Sequence, residues 1–149
     1  MKRVTPFRVA SVLLVIFCAL HTAGGMLAQK SLGADSDAVF EAMQRVHFRF
    51  NGADSTWYGF WLGFGLTTSL FLLLSAIIAW QLERVPASEW SRVSVIAWSL
   101  CVSHAVNTVL AWKYFFAGPG VFGILITLLI AAGAILKGRP AALRESQVM

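Results

Sequence analysis

The chain is 149 residues long, a length that fits one domain, but a mean hydropathy of +0.71 with 58% hydrophobic and 13% charged residues argues against a water-soluble globule. A net charge of +5 and a pI near 9.8 would suit nucleic acid, yet the basic residues stand at the ends of apolar runs and form no stripe with interleaved aromatics. No nucleic acid is expected as a partner. Both cysteines, Cys18 and Cys101, lie inside apolar runs, which argues against a disulfide framework of the secreted kind.

Lys2, Arg3 and Arg8 lead into a first apolar run at about residues 9–27. Signal peptides share this layout, but Met26-Leu27-Ala28 is a poor cleavage site and the run is longer than a usual signal core, so a retained first span is expected. The polar segment that follows holds Lys30, Asp35, Asp37, Glu41, Arg45, Arg49 and Asp54. Ser36 or Asp37 can cap a helix over about residues 37–50, with Val39, Phe40, Met43, Val46, His47 and Phe50 on one face. Asn51-Gly52 would end it. An amphipathic helix of this kind lies along the headgroup boundary or lids the bundle. Val46, Phe48 and Phe50 also alternate, which leaves a short strand ending as the alternative.

The second run, residues 57–82, carries no charge and is long enough to cross a bilayer with room to tilt. Trp57, Tyr58 and Trp61 cluster at one end and Trp80 stands near the other, where amphipathic rings prefer the headgroup level. Gly59, Gly63, Thr67, Ser75 and Ala79 recur at multiples of four and would let another backbone come close. Gly59, Gly63 and Thr67 are therefore candidate interface positions, for a homodimer or for packing within the chain. Pro86 and Ser88 mark the turn into a third run at about residues 92–112. Trp112, Tyr114, Phe115 and Phe116 make a further aromatic belt, Gly118-Pro119-Gly120 predicts a tight turn, and about residues 120–136 form the fourth span.

The expected fold is all-α: an integral membrane four-helix bundle, one membrane domain over residues 1–149, with an amphipathic interfacial helix in the first extracytoplasmic loop. Lys2, Arg3, Arg8, Arg84, Arg92, Lys137, Arg139 and Arg144 gather on the side of the termini, against Lys30, Arg45, Arg49 and Lys113 on the other. Both termini are thus expected in the cytoplasm.

No Asp or Glu falls within these four runs, which weighs against an ion-coupled pump needing an intramembrane carboxylate. Phosphate-cradling loops, nucleophile elbows and zinc-protease histidine pairs are absent from the sequence, so no catalytic residue and no metal ligand is named. What remains is His21 in the first span and His104 in the third, both placed roughly 3 to 5 Å outward of the midplane when counted at 1.5 Å per residue. Each follows a cysteine by three residues, and each has polar company, Thr22 beside His21 and Asn107 with Thr108 beside His104. Such a pair can ligate haem b, hold a metal with the two cysteines, or line a pocket for a quinone, lipid or other amphiphile. It can equally hydrogen-bond neighbouring helices and do nothing more. The candidate ligand-binding residues are His21, Thr22, His104 and Asn107.

The run Gly52-Ala-Asp-Ser-Thr-Trp57-Tyr-Gly-Phe-Trp-Leu-Gly63-Phe64-Gly65-Leu, with Ala79-Trp80-Gln81-Leu82 and later Trp112-Lys-Tyr-Phe115-Phe116 and Pro119, resembles a family of small four-span bacterial membrane proteins of unassigned function. Where that family carries an acidic residue directly after the first Trp, this chain has Tyr58-Gly59. The resemblance implies a bacterial inner-membrane setting and four helices, and it implies no activity. The functional expectation is a non-enzymatic protein that binds an apolar ligand, a membrane lipid or a membrane partner. The alternatives are a haem- or quinone-dependent redox protein using His21 and His104, and a passive transporter.

Overall fold

The computed structural model describes residues 4–28 and 31–139. Lys2, Arg3, Lys30, Arg144 and the expected C-terminal tail lie outside them. Helix α1 (Pro6–Ala19) runs directly into a π-helical stretch (Leu20–Leu27); α2 (Ala34–Arg45) is followed by strands β1 (His47–Phe50) and β2 (Ala53–Thr56). Helix α3 (Trp57–Arg84), a single 3₁₀ turn (Ala87–Glu89), α4 (Trp90–Tyr114) and α5 (Ala117–Gly138) follow among the described residues. Among the described residues, four segments are long and apolar enough to cross a membrane: Pro6–Leu27, Trp57–Arg84, Ala87–Tyr114 and Ala117–Gly138. The protein is an all-α membrane helical bundle. Most large apolar side chains on these helices point outward, as lipid-facing residues do when the surroundings are as apolar as the interior.

The chain divides into two compact units, Cys18–Leu72 and Met1–Phe17 with Leu73–Met149. In the first, the loop helix is shorter than expected, and His47 and Phe50 belong to β1 rather than to its apolar face. The strand ending is the reading that holds. Asn51 and Gly52 both have positive φ, 49° and 84°, and form the two-residue turn of a β1–β2 hairpin instead of a helix stop. Its register pairs His47 with Thr56 and Phe50 with Ala53. The expected cap is also displaced. Gly33 precedes the helix, while the Asp37 carboxylate reaches back to accept hydrogen bonds from the Ser31 hydroxyl and the Leu32 N–H. Phe48 stands 4.7 Å from Trp57 and Phe40 stands 5.5 Å, edge-on, from Trp61, so hairpin and α2 both rest on the aromatic start of α3. Because only glycine adopts its turn conformation without strain, Gly52→Val is expected to cost about 1–2 kcal/mol locally. Tryptic cleavage after Arg49 should then rise about tenfold while helical circular dichroism stays unchanged.

In the second unit α4 and α5 pack tightly, because Gly120 and Gly123 let α5 come close to α4. Thr108 of α4 lies against Gly123, and the Trp112 ring lies against Gly120. Phe7 of α1, 1% exposed, covers Gly133 and stands 5.9 Å from Trp90. The Ser11 hydroxyl donates to the Ala76 carbonyl, 2.9 Å away, and Phe17 stacks on Phe122 at 5.0 Å. Gly118-Pro119-Gly120 is not the turn. Helix α4 ends at Tyr114, Phe115 and Phe116 make the connection, and Pro119 sits in the first turn of α5, where a missing N–H costs nothing.

Candidate functional site

The sequence candidates fall in different units, so each group is taken by itself. Cys18, His21 and Thr22 in the first unit all turn to α3. The His21 Nε2–H donates to the Gly65 carbonyl at 3.0 Å, since a carbonyl can only accept. The Cys18 thiol donates to the Ser69 carbonyl at 3.3 Å. The Thr22 hydroxyl lies 2.7 Å from the Cys18 carbonyl and 2.8 Å from the Ser69 hydroxyl, which itself reaches back to Gly65. Gly65 and Ser69, four residues apart on one face of α3, thus receive the polar side chains of the first span. Met26 lies against the bare Cα of Gly65, where any added Cβ would overlap its sulfur.

The π-helical stretch produces this convergence. Its i→i+5 ladder shows in the Ala28 N–H, which bonds the Ala23 carbonyl at 3.0 Å. His21 and Met26 are five residues apart, about 140° around a regular α-helix, yet both meet Gly65. Gly24 and Gly25 weaken the regular helix there, and the Thr22 hydroxyl competes for the Cys18 carbonyl that the regular ladder would use.

His104 is 1% exposed in α4 of the second unit, one turn before Thr108, whose hydroxyl donates to the His104 carbonyl at 2.7 Å. Thr127 of α5 donates to the Gly123 carbonyl, and the Cys101 thiol makes a long contact of 3.8 Å to the Thr127 carbonyl. Asn107 is half-buried on the same helix. Within each unit, then, imidazole, thiol and hydroxyl groups are set among helix–helix contacts.

Gly59, Gly63 and Thr67, the candidate interface, are all exposed, and a Cβ on Gly63 would meet nothing within 4 Å. Ser75 and Ala79, counted in the same run, are buried. A step of four advances about 40° beyond a full turn, so five such steps from Gly59 to Ala79 swing the row about 200° to the opposite side of α3. The pair that does receive a neighbour, Gly65 and Ser69, lies off that row.

Sequence reading passed over the hairpin face that carries His47 and Asp54. Their side chains pair at 2.9 Å, and with Ser55, Thr56, Gly59 and Phe60 they border a cavity of about 400 Å³. The hairpin turn Asn51-Gly52 between alternating residues was the signal for it. Among the described residues no three His, Cys, Asp or Glu side chains come together in a way that could hold a metal ion.

The His21 bond has a measurable worth. His21→Phe keeps the bulk but leaves the Gly65 carbonyl without this donor, and is expected to cost about 1 kcal/mol. A thermal melt in detergent would read it as a drop of a few degrees, partly restored in His21→Gln. Comparison with protein-family profiles, with curated proteins and with solved structures finds no match to this chain.

Proposed function

We propose that the chain is a non-enzymatic multi-pass protein of the bacterial inner membrane, with both termini in the cytoplasm, that binds an amphiphile or a membrane partner. The observation that supports this reading is how the polar side chains of the first span are used. Cys18, His21 and Thr22 each hydrogen-bond α3, and the His21 nitrogen bonded to Gly65 is Nε2. A haem or metal ligand at that nitrogen would have to displace the carbonyl. Redox chemistry through His21 therefore carries a cost that lipid or partner binding does not.

The exposed row Gly59, Gly63 and Thr67 favours a membrane partner as the second form of the same reading, since small residues let a second backbone approach closely. The test combines two measurements on protein purified from native membranes. Native mass spectrometry is expected to show retained lipid or another amphiphile, and the visible spectrum is expected to be featureless. A Soret band that disappears in His21→Ala or His104→Ala would overturn the proposal in favour of a haem protein.

A further inference from the structure

The β1–β2 hairpin has two unlike faces. Side chains alternate along a strand, and residues paired across an antiparallel ladder share a face. Phe50 therefore stands with its partner Ala53, and Arg49 stands on the other side with its partner Asp54. On the first face Phe48 lies 4.7 Å from the Trp57 ring and 5.6 Å from Phe60, and Phe50 meets Phe60 edge-on at 6.0 Å. On the second, Asp54 pairs with the His47 ring and Arg49 is exposed.

Helix α3 places these faces against the bilayer. Strand β2 ends at Thr56 and α3 begins at Trp57, so no linker separates the hairpin from the span. The helix has 28 residues, about 42 Å at 1.5 Å per residue, which exceeds the ~30 Å of hydrocarbon and leaves roughly one turn at each end among the headgroups. Phe60 closes the first of these turns. By resting on Phe60 the hairpin folds back along α3 to the edge of the hydrocarbon instead of standing away in water. The next ring on that side, Phe64, is 6.1 Å from Phe60 and 70% exposed, as a lipid-facing side chain is. Phe50 and Trp57, each 56% exposed, flank Phe60 and continue the same apolar surface.

The backbone limits the depth. With two strands in the sheet among the described residues, the outer N–H and C=O groups of both have no ladder partner, and hydrocarbon offers none. The hairpin can sit no deeper than the headgroups, where water still reaches those edges.

We infer that the hairpin is a lipid-docking element. It lies flat on the leaflet in which α3 begins, with Phe50, Ala53 and Trp57 at the boundary between headgroups and acyl chains and with Arg49 and Asp54 turned to water. The bilayer is favoured over a second copy of the chain because the aromatic face runs on into the lipid-facing side of α3. This docking does not depend on the binding function proposed above.

The test is nitroxide scanning of the full chain in nanodiscs of phosphatidylethanolamine and phosphatidylglycerol. Cys18→Ser, which keeps a donor for the Ser69 carbonyl, and Cys101→Ala clear the background. Arg49→Cys, Phe50→Cys, Ala53→Cys and Asp54→Cys are then labelled one at a time. Collision with oxygen, which concentrates among acyl chains, is compared with collision with a water-soluble nickel complex. The oxygen-to-nickel ratio is expected to be roughly fivefold higher at positions 50 and 53 than at 49 and 54. Ala53→Cys removes no ring, so the pattern is readable even where Phe50→Cys loosens the hairpin. An equal ratio at all four positions overturns the inference, because no face then points to lipid. Shielding of 50 and 53 from both reagents overturns it in favour of a protein partner, and spin–spin broadening would identify that partner as a second copy.

Discussion

Gly123→Leu is expected to destabilise the protein by about 3 kcal/mol, at the upper end of what overpacking costs, because the Thr108 side chain in the way is β-branched, hydrogen-bonded to the His104 carbonyl and rooted on backbone only 3.3 Å off. A Cβ at position 123 would overlap the Thr108 hydroxyl and lie 3.1 Å from its Cβ and 3.3 Å from its Cα. Helices α4 and α5 can accept a leucine there only by moving apart, which also withdraws the Trp112 ring from Gly120. The measurement is an unfolding titration with sodium dodecyl sulfate in mixed micelles, followed by circular dichroism. Gly63→Leu is the control: that position has open space, and the change should stay within about 0.5 kcal/mol. Equal losses at the two glycines would show that helix propensity, not close approach, sets the effect.

Phe7→Ala should cost about 2–3 kcal/mol for a different reason. In lipid the transfer of a phenyl ring from surroundings to interior gains little, so the loss comes from the void left behind. At about 24 cal/mol per Å³, removing about 100 Å³ of ring accounts for that figure. The ring sits 2.8 Å from where a Cβ on Gly133 would stand, so Gly133→Ala should harm the native protein and be tolerated, or partly restorative, once Phe7 is alanine. The double-mutant cycle reads this coupling directly, and additive losses would refute the contact.

The four spans were legible because a membrane helix must satisfy its own backbone, so an apolar run of sufficient length leaves one outcome. Their ends were less so. Pro119 was read as part of a turn, yet proline is equally at home in a first helical turn, and only the surrounding structure decides between these uses. The hairpin was misjudged at Asn51-Gly52, a pair that serves both as a helix stop and as a hairpin turn; the alternation of Phe48 and Phe50 was the better guide. Partners of the buried polar groups were hidden for a different reason. Cys18, His21 and Thr22 announced a polar patch, but nothing local to them names Gly65 and Ser69, 44 and 47 residues away, as their acceptors. The row of small residues misled because a four-residue repeat is not quite one helical turn.

The widened turn before Leu27 also limits what the first span can tolerate in length. Loss of one residue between His21 and Met26 would let the segment relax into ordinary winding with the two residues four apart, about 40° from each other on one face, so that both could still meet Gly65. Single-codon deletions there should therefore be more forgiving than single-codon insertions, which would place the two residues six apart and about 240° around an ordinary helix.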